Sequence, residues 1–258
     1  MKFTVSTLLV FLGLGLMVSS AQAASSSGPV YELRTYTSPP GKRDALIARF
    51  RDHTVKLFEK HGMKNVGYWV PAESKDGGDD KLVYLLEHKS REAAAASWKA
   101  FQADPVWKDV NKKTTANGKI VSKVDSVYMT PTDYSKRMTA GAKKGGAERV
   151  FELRTYTTPE GKLPNLDARF RDHTVKLFEK HGMTNLGYFH PTDADKGAGK
   201  TLIYFLAHKS REAAAESFKA FREDPEWVKA RTSSEKDGKI TAKVESLFLK
   251  PVDFSAIK

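Results

Sequence analysis

Cysteine is absent from all 258 residues. That excludes disulfides, thiolate nucleophiles and cysteine-based zinc or iron–sulfur centres, and it excludes a lipid-anchored lipoprotein. Beyond the first two dozen residues no apolar run approaches the ~20 residues that a bilayer-spanning helix needs. G-x-S-x-G, a phosphate-binding glycine loop, a dinucleotide fingerprint and H-E-x-x-H are all missing, so no local motif calls for a metal or a cofactor. Acidic residues are scarce relative to basic ones: 31 Asp+Glu against 43 Lys+Arg gives a net charge of +12. No nucleic-acid-binding motif accompanies that surplus. It is spread along the chain (Lys42, Arg43, Arg49, Arg51, Lys56, Lys60 and their repeats), as a solvated basic surface would be; weak attraction to an anionic surface is the alternative. With 40% hydrophobic and 10% aromatic residues the chain is globular rather than disordered.

The N-terminus reads as an address. Lys2 precedes an apolar run from Val5 to Val18, and Ala21-Gln22-Ala23 fits a small-x-small cleavage site. Residues 1–23 are therefore expected to be a signal peptide, and the mature protein to be secreted or periplasmic.

The strongest signal is a duplication. Tyr31-Glu32-Leu33-Arg34-Thr35-Tyr36-Thr37 returns as Phe151-Glu152-Leu153-Arg154-Thr155-Tyr156-Thr157, 120 residues on, and the offset holds without a gap to Pro131 and Pro251. Roughly 57 of 104 paired positions are identical. Each copy has the size of a small domain. The expected organisation is a first domain over 24–134, a flexible linker over 135–148 rich in Gly, Ala, Ser and Lys, and a second domain over 149–258.

Within one copy, Val30–Thr37 alternates as a strand with two unlike faces. Asp44–Lys60 carries apolar residues at helical spacing and stops at Gly62. Asn65–Val70 and Lys81–His88 read as strands. Ser90 caps the next helix, Asp104-Pro105 opens a short one, and Ile120–Met129 is the last strand. The order β-α-β-β-α-β is the ferredoxin-like unit, an α+β fold whose sheet has helices on one face only. Two copies are expected to cover each other's bare sheets as a barrel, within one chain or between chains of a homo-oligomer.

Glu32-Leu33-Arg34-Thr35-Tyr36, Pro40-Gly41, Glu59-Lys60-His61-Gly62-Met63 and Gly67-Tyr68-Trp69 resemble the NIPSNAP domain. Glu152–Tyr156, Gly161, His181-Gly182-Met183 and Gly187-Tyr188-Phe189 repeat the resemblance, which covers nearly all of the chain beyond the leader. It implies tandem domains of the dimeric α+β barrel superfamily. That superfamily also holds cofactor-free monooxygenases and haem proteins, whose catalytic residues have no match here, so the link is one of fold. Animal members of the family are mitochondrial, which the export leader argues against for this chain.

The best polar constellation is Glu32, Arg34 and Tyr36 with Glu152, Arg154 and Tyr156. Alternation places each trio on one strand face. With Leu33 turned to the helices, the trio faces the barrel interior, where Arg needs Glu as a partner. It could clamp a small anionic or carbonyl ligand, or simply fix the sheets. His53 and His173 flank the apolar helix face and are expected to be buried and hydrogen-bonded; a haem-ligand role is the sharper alternative. His61 and His181 suit helix C-termini. His88 and His208 end a strand and could border a cavity mouth, and His190 has no counterpart. Tyr68, Trp69, Tyr84, Tyr188, Phe189 and Tyr204 are expected in the core. The functional expectation is a protein that binds a small molecule in or beside the barrel, with an oxygenase-like or haem-dependent enzyme and a protein-interaction module as alternatives.

Overall fold

The computed structural model describes residues 28–138 and 149–258. The expected leader and most of the expected linker lie outside the described residues. The first repeat runs β1 (Val30–Thr37), α1 (Arg43–Arg49), a π-helical turn (Phe50–Thr54), α2 (Val55–Lys60), β2 (Lys64–Pro71), β3 (Lys81–His88), α3 (Arg91–Ala103), α4 (Pro105–Thr114) and β4 (Lys123–Pro131). The second repeats it with β5 (Val150–Thr157), α5 (Leu163–Arg169), a π-helical turn (Phe170–Thr174), α6 (Val175–Lys180), β6 (Thr184–Pro191), β7 (Thr201–His208), α7 (Arg211–Glu223), α8 (Pro225–Ser234) and β8 (Lys243–Pro251). Among the described residues no helix is long and apolar enough to cross a membrane.

The eight strands close into one barrel in the order β1-β3-β2-β8-β5-β7-β6-β4. Each repeat supplies a four-stranded antiparallel sheet with β1 or β5 near its centre. Two short antiparallel joins pair the sheet edges: β2 with β8 through Trp69↔Pro251, and β4 with β6 through Met129↔Pro191. No edge of either sheet is left unpaired, which is how barrels remove sticky strand edges.

The barrel interior is a packed apolar core. Tyr31, Leu33, Trp69, Val83 and Leu85 meet Phe151, Phe189, Phe205, Met129 and Leu249 there. The opposite strand faces pack on the helices through two further cores, one per repeat. β3 and β7 are apolar on both faces for this reason.

The π turn changes what the helix buries. Thr54 Oγ1 donates to the Arg49 carbonyl at 3.1 Å, and Thr174 does the same to Arg169. The extra residue per turn brings Phe50, Thr54, Leu57 and Phe58 inward and leaves Arg51, Asp52 and His53 in solvent. His53 and His173 are thus exposed, not buried as an unbroken helix implies. Helix ends follow the sequence closely. Ser90 and Ser210 accept from the Ala93 and Ala213 amides at 3.1 Å, and Gly62, at φ +77, takes the left-handed turn that ends α2.

The start of the expected linker is not free. Ser135 Oγ accepts from the Tyr188 amide at 2.9 Å, and Met138 is buried in the barrel core. The C-terminal tail mirrors it: Ser255 Oγ accepts from the Tyr68 amide at 2.9 Å and Ile257 is buried. Each repeat ends by latching onto the other.

Candidate functional site

Leu33 lies in the barrel core, so Glu32, Arg34 and Tyr36 face the helices and not the barrel interior. The same holds for Glu152, Arg154 and Tyr156. The physical reason is space: the interior is filled by Trp, Phe and Met side chains, so the polar face of the strand turns to the helices.

Glu32 is fully buried and its carboxylate collects four donors. Oε1 accepts from Arg34 Nη1 at 2.5 Å and Ser126 Oγ at 2.7 Å; Oε2 accepts from Trp98 Nε1 at 2.7 Å and is bonded to His88 Nε2 at 3.1 Å. Burial pushes the Glu32 pKa up, but His88, the Arg34 charge, Ser126 and Trp98 outweigh it and bring it down to about 2. Burial would weaken the Arg34 cation, yet Tyr84, Tyr36 and Glu32 raise it above the ordinary guanidinium value. Arg34 also lies over the Trp98 ring, at 4.2 Å.

The second repeat keeps most of this. Glu152 Oε1 accepts from Arg154 Nη1 at 2.5 Å and Ser246 Oγ at 2.5 Å, and Oε2 is bonded to His208 Nε2 at 3.0 Å. Arg154 Nε donates to the Tyr204 hydroxyl at 2.9 Å. Against the effect of burial, the His208 bond, the Arg154 charge and the Ser246 bond hold the Glu152 pKa below the usual carboxylate range.

A cleft of about 660 Å³ opens over this second network, between the outer face of β5 and β8 and the helix α7. Glu152, Arg154 and Ser246 line it with Phe218, Phe248, Arg211 and Arg222. Arg211 stacks on Phe248 at 3.5 Å and pairs with Glu73 of the first repeat at 2.7 Å. Tyr156 accepts from Arg154 Nη2 at 3.3 Å but does not line this cleft; it lines a separate pocket of about 170 Å³ with Arg169 and Trp227. The trio seen in the sequence is therefore hydrogen-bonded together but borders two separate spaces.

His88 and His208 are buried partners of the two glutamates, and His88 also borders an opening of about 650 Å³ where β1 begins and β3 ends. His61 and His181 bond the Asp104 and Asp224 carboxylates at 2.7 Å, tying the ends of α2 and α6 to the residues that cap α4 and α8. His190 bonds Asp167 at 3.0 Å. No imidazole lines the second cleft, so the residues there offer haem no histidine ligand. Among the described residues no cluster of three or more His, Cys, Asp or Glu is arranged to hold a metal ion. Ser126, Ser246, Trp98, Phe218, Arg211 and Arg222 escaped the sequence reading. Cross-strand register alone would have found the serines, since Ser126 faces Arg34 and Ser246 faces Arg154.

The NIPSNAP family model matches the chain twice, over residues 31–136 and 151–256. A protein NipSnap homolog of Dictyostelium discoideum is 23% identical over 236 residues, covering 91% of each chain. Among solved structures, an anthrone oxidase-like protein aligns with 90% of this chain and 95% of its own, at a TM-score of 0.52 and 14% identity. An uncharacterized NIPSNAP-like domain protein from Burkholderia xenovorans aligns with 43% of this chain and 92% of its own, at a TM-score of 0.38 and 16% identity. With two matches spanning most of its length and two ferredoxin-like units closed into one α+β barrel, the chain belongs to the NIPSNAP family.

Proposed function

We propose that this is an exported binding protein that holds a small molecule beside the barrel, in the cleft over Glu152 and Arg154. The observation that carries the proposal is the cleft itself: a fixed carboxylate, an arginine and a serine at its floor, with Phe218 and Phe248 in its walls. A mostly apolar recess with a few convergent polar groups is what small-molecule sites look like. The barrel interior is the poorer candidate, because side chains fill it. Export rests on Lys2, the Val5–Val18 run and Ala21-Gln22-Ala23.

Native mass spectrometry of the purified protein tests the binding proposal. Arg34→Ala and Arg154→Ala remove the same ion pair from the two repeats, at comparable structural cost. Loss of a co-purifying mass only in Arg154→Ala supports the cleft; equal retention in both refutes it.

An oxygenase-like activity is the second reading, favoured by the fold shared with the anthrone oxidase-like protein. Cofactor-free oxygenation needs a base that takes a proton from the substrate. Glu152 is held ionised by its donors, and a carboxylate with a lowered pKa is a weak base. Binding is therefore the stronger reading. Oxygen uptake in the presence of an electron-rich phenol, absent in Glu152→Gln, would reverse that order.

A further inference from the structure

The two repeats differ at two rings beside the glutamate: Tyr128 of β4, directly across from Glu32, becomes Phe248 of β8, directly across from Glu152, and the ring on the covering helix changes as well. Trp98 of α3 stands where α7 has Phe218. The Trp98 indole donates to Glu32 Oε2 at 2.7 Å and lies under Arg34 at 4.2 Å. Phe218 keeps the contact with arginine, 4.6 Å from Arg154, but has no N–H to give. Glu152 Oε2 is left with His208 alone, where Glu32 Oε2 has both His88 and Trp98. A buried carboxylate oxygen short of one donor, on the lining of an open cleft, is a binding position with a known complement.

A further difference lies across the same cleft. Arg222 replaces Gln102. Of the three arginines lining the cleft, Arg154 is paired with Glu152 and Arg211 with Glu73. Arg222 makes no ion pair among the described residues, so the cleft carries a free cation where the first repeat has the uncharged Gln102.

From these differences we propose that the Trp98 N–H supplies, in the first repeat, the donor that a ligand supplies in the second, and that this ligand is a small aromatic acid bearing an N–H or O–H donor. The donor reaches Glu152 Oε2 as Trp98 Nε1 reaches Glu32. The ring packs between Phe218 and Phe248, whose faces already attract guanidinium groups. The acid group meets Arg222. The inference rests on the binding proposal above and narrows it to a chemical class.

Indole-3-acetate is the probe, since it carries the ring and donor of Trp98 together with a carboxylate. Calorimetric titration of the purified protein should show one site per chain. Methylating the indole nitrogen (1-methylindole-3-acetate) should weaken binding about tenfold, as loss of a hydrogen bond to a charged group does. Removing the acid (3-methylindole) should weaken it as well, and Arg222→Gln should erase the difference between 3-methylindole and indole-3-acetate. Phe218→Trp should abolish binding, while Trp98→Phe should add a second, weaker site indifferent to the acid. Thermal midpoints of the variants report folding in parallel, and Arg222→Gln alters an exposed side chain that the fold does not need.

Equal affinity for the methylated and unmethylated probe, or no binding of indole-3-acetate, overturns the ligand class. If a co-purifying mass then disappears in Phe218→Trp, the cleft stands as a binding site and only the class falls. If that mass persists in Phe218→Trp, both fall.

Discussion

Arg51 of the first repeat grips Asp253 of the second through two hydrogen bonds, at 2.7 and 2.8 Å, and Arg171 grips Asp133 in the reverse sense at 2.8 and 2.7 Å. The pairs are related by the offset between the copies, and both span the seams of the barrel. All four side chains are well exposed, which limits what each pair contributes. Asp253→Ala should lower the unfolding free energy by about 0.5–1 kcal/mol, an effect that shrinks in 1 M salt. Urea denaturation at two salt concentrations measures both.

The tails matter more than the ion pairs. Met138 and Ile257 are 3% and 1% exposed, and both sit in the barrel core. Truncating either to alanine should cost about 2–4 kcal/mol through lost burial and the cavity left behind. The same denaturation experiment separates this from the small loss expected for Asp253→Ala.

Glu32 links stability to pH. Its folded pKa, about 2, lies below the ordinary value of 4.5. The ionised form is favoured in the folded state, so the contribution is complete above about pH 4.5 and is lost as pH falls toward 2. Its size is roughly 3 kcal/mol. Glu32→Gln should flatten that part of the stability–pH curve, and at neutral pH it should cost about 3–5 kcal/mol, because Arg34 is left buried without its counter-charge. Thermal melts between pH 2 and pH 7 give the comparison.

Gly67 touches the barrel core so closely that a Cβ there would lie 2.2 Å from the Trp69 ring, against 2.8 Å between the equivalent position on Gly187 and Phe189. Gly67→Ala should therefore destabilise by about 1–3 kcal/mol, more than Gly187→Ala. Trp69→Phe should relieve part of the Gly67→Ala cost.

Much of this architecture is legible in the sequence. Capping residues, the glycine helix stops and the strand alternation place the elements within a few residues, and the 120-residue offset pairs the sheets. Two features are not legible, for physical reasons. Alternation says that Leu33 and Arg34 point opposite ways but not which way is inward, because β3 is apolar on both faces and gives no contrast. The π turn is invisible to helical periodicity, since it shifts the buried face by one residue without altering composition; that shift sends His53 to solvent. The candidate site is half legible. Glu152 and Arg154 stand on one strand face, but Ser246, Phe218 and Arg222 reach them only through the barrel register and the docking of α7.

The two halves are one covalent chain, latched to each other through Ser135 and Ser255, rather than a symmetric pair of identical subunits. In a homodimer any change beside the glutamate is imposed on both sides at once. A fused chain can fill one recess with its own indole for rigidity and leave the other open for a guest, so duplication would let a specialised half and a structural half coexist.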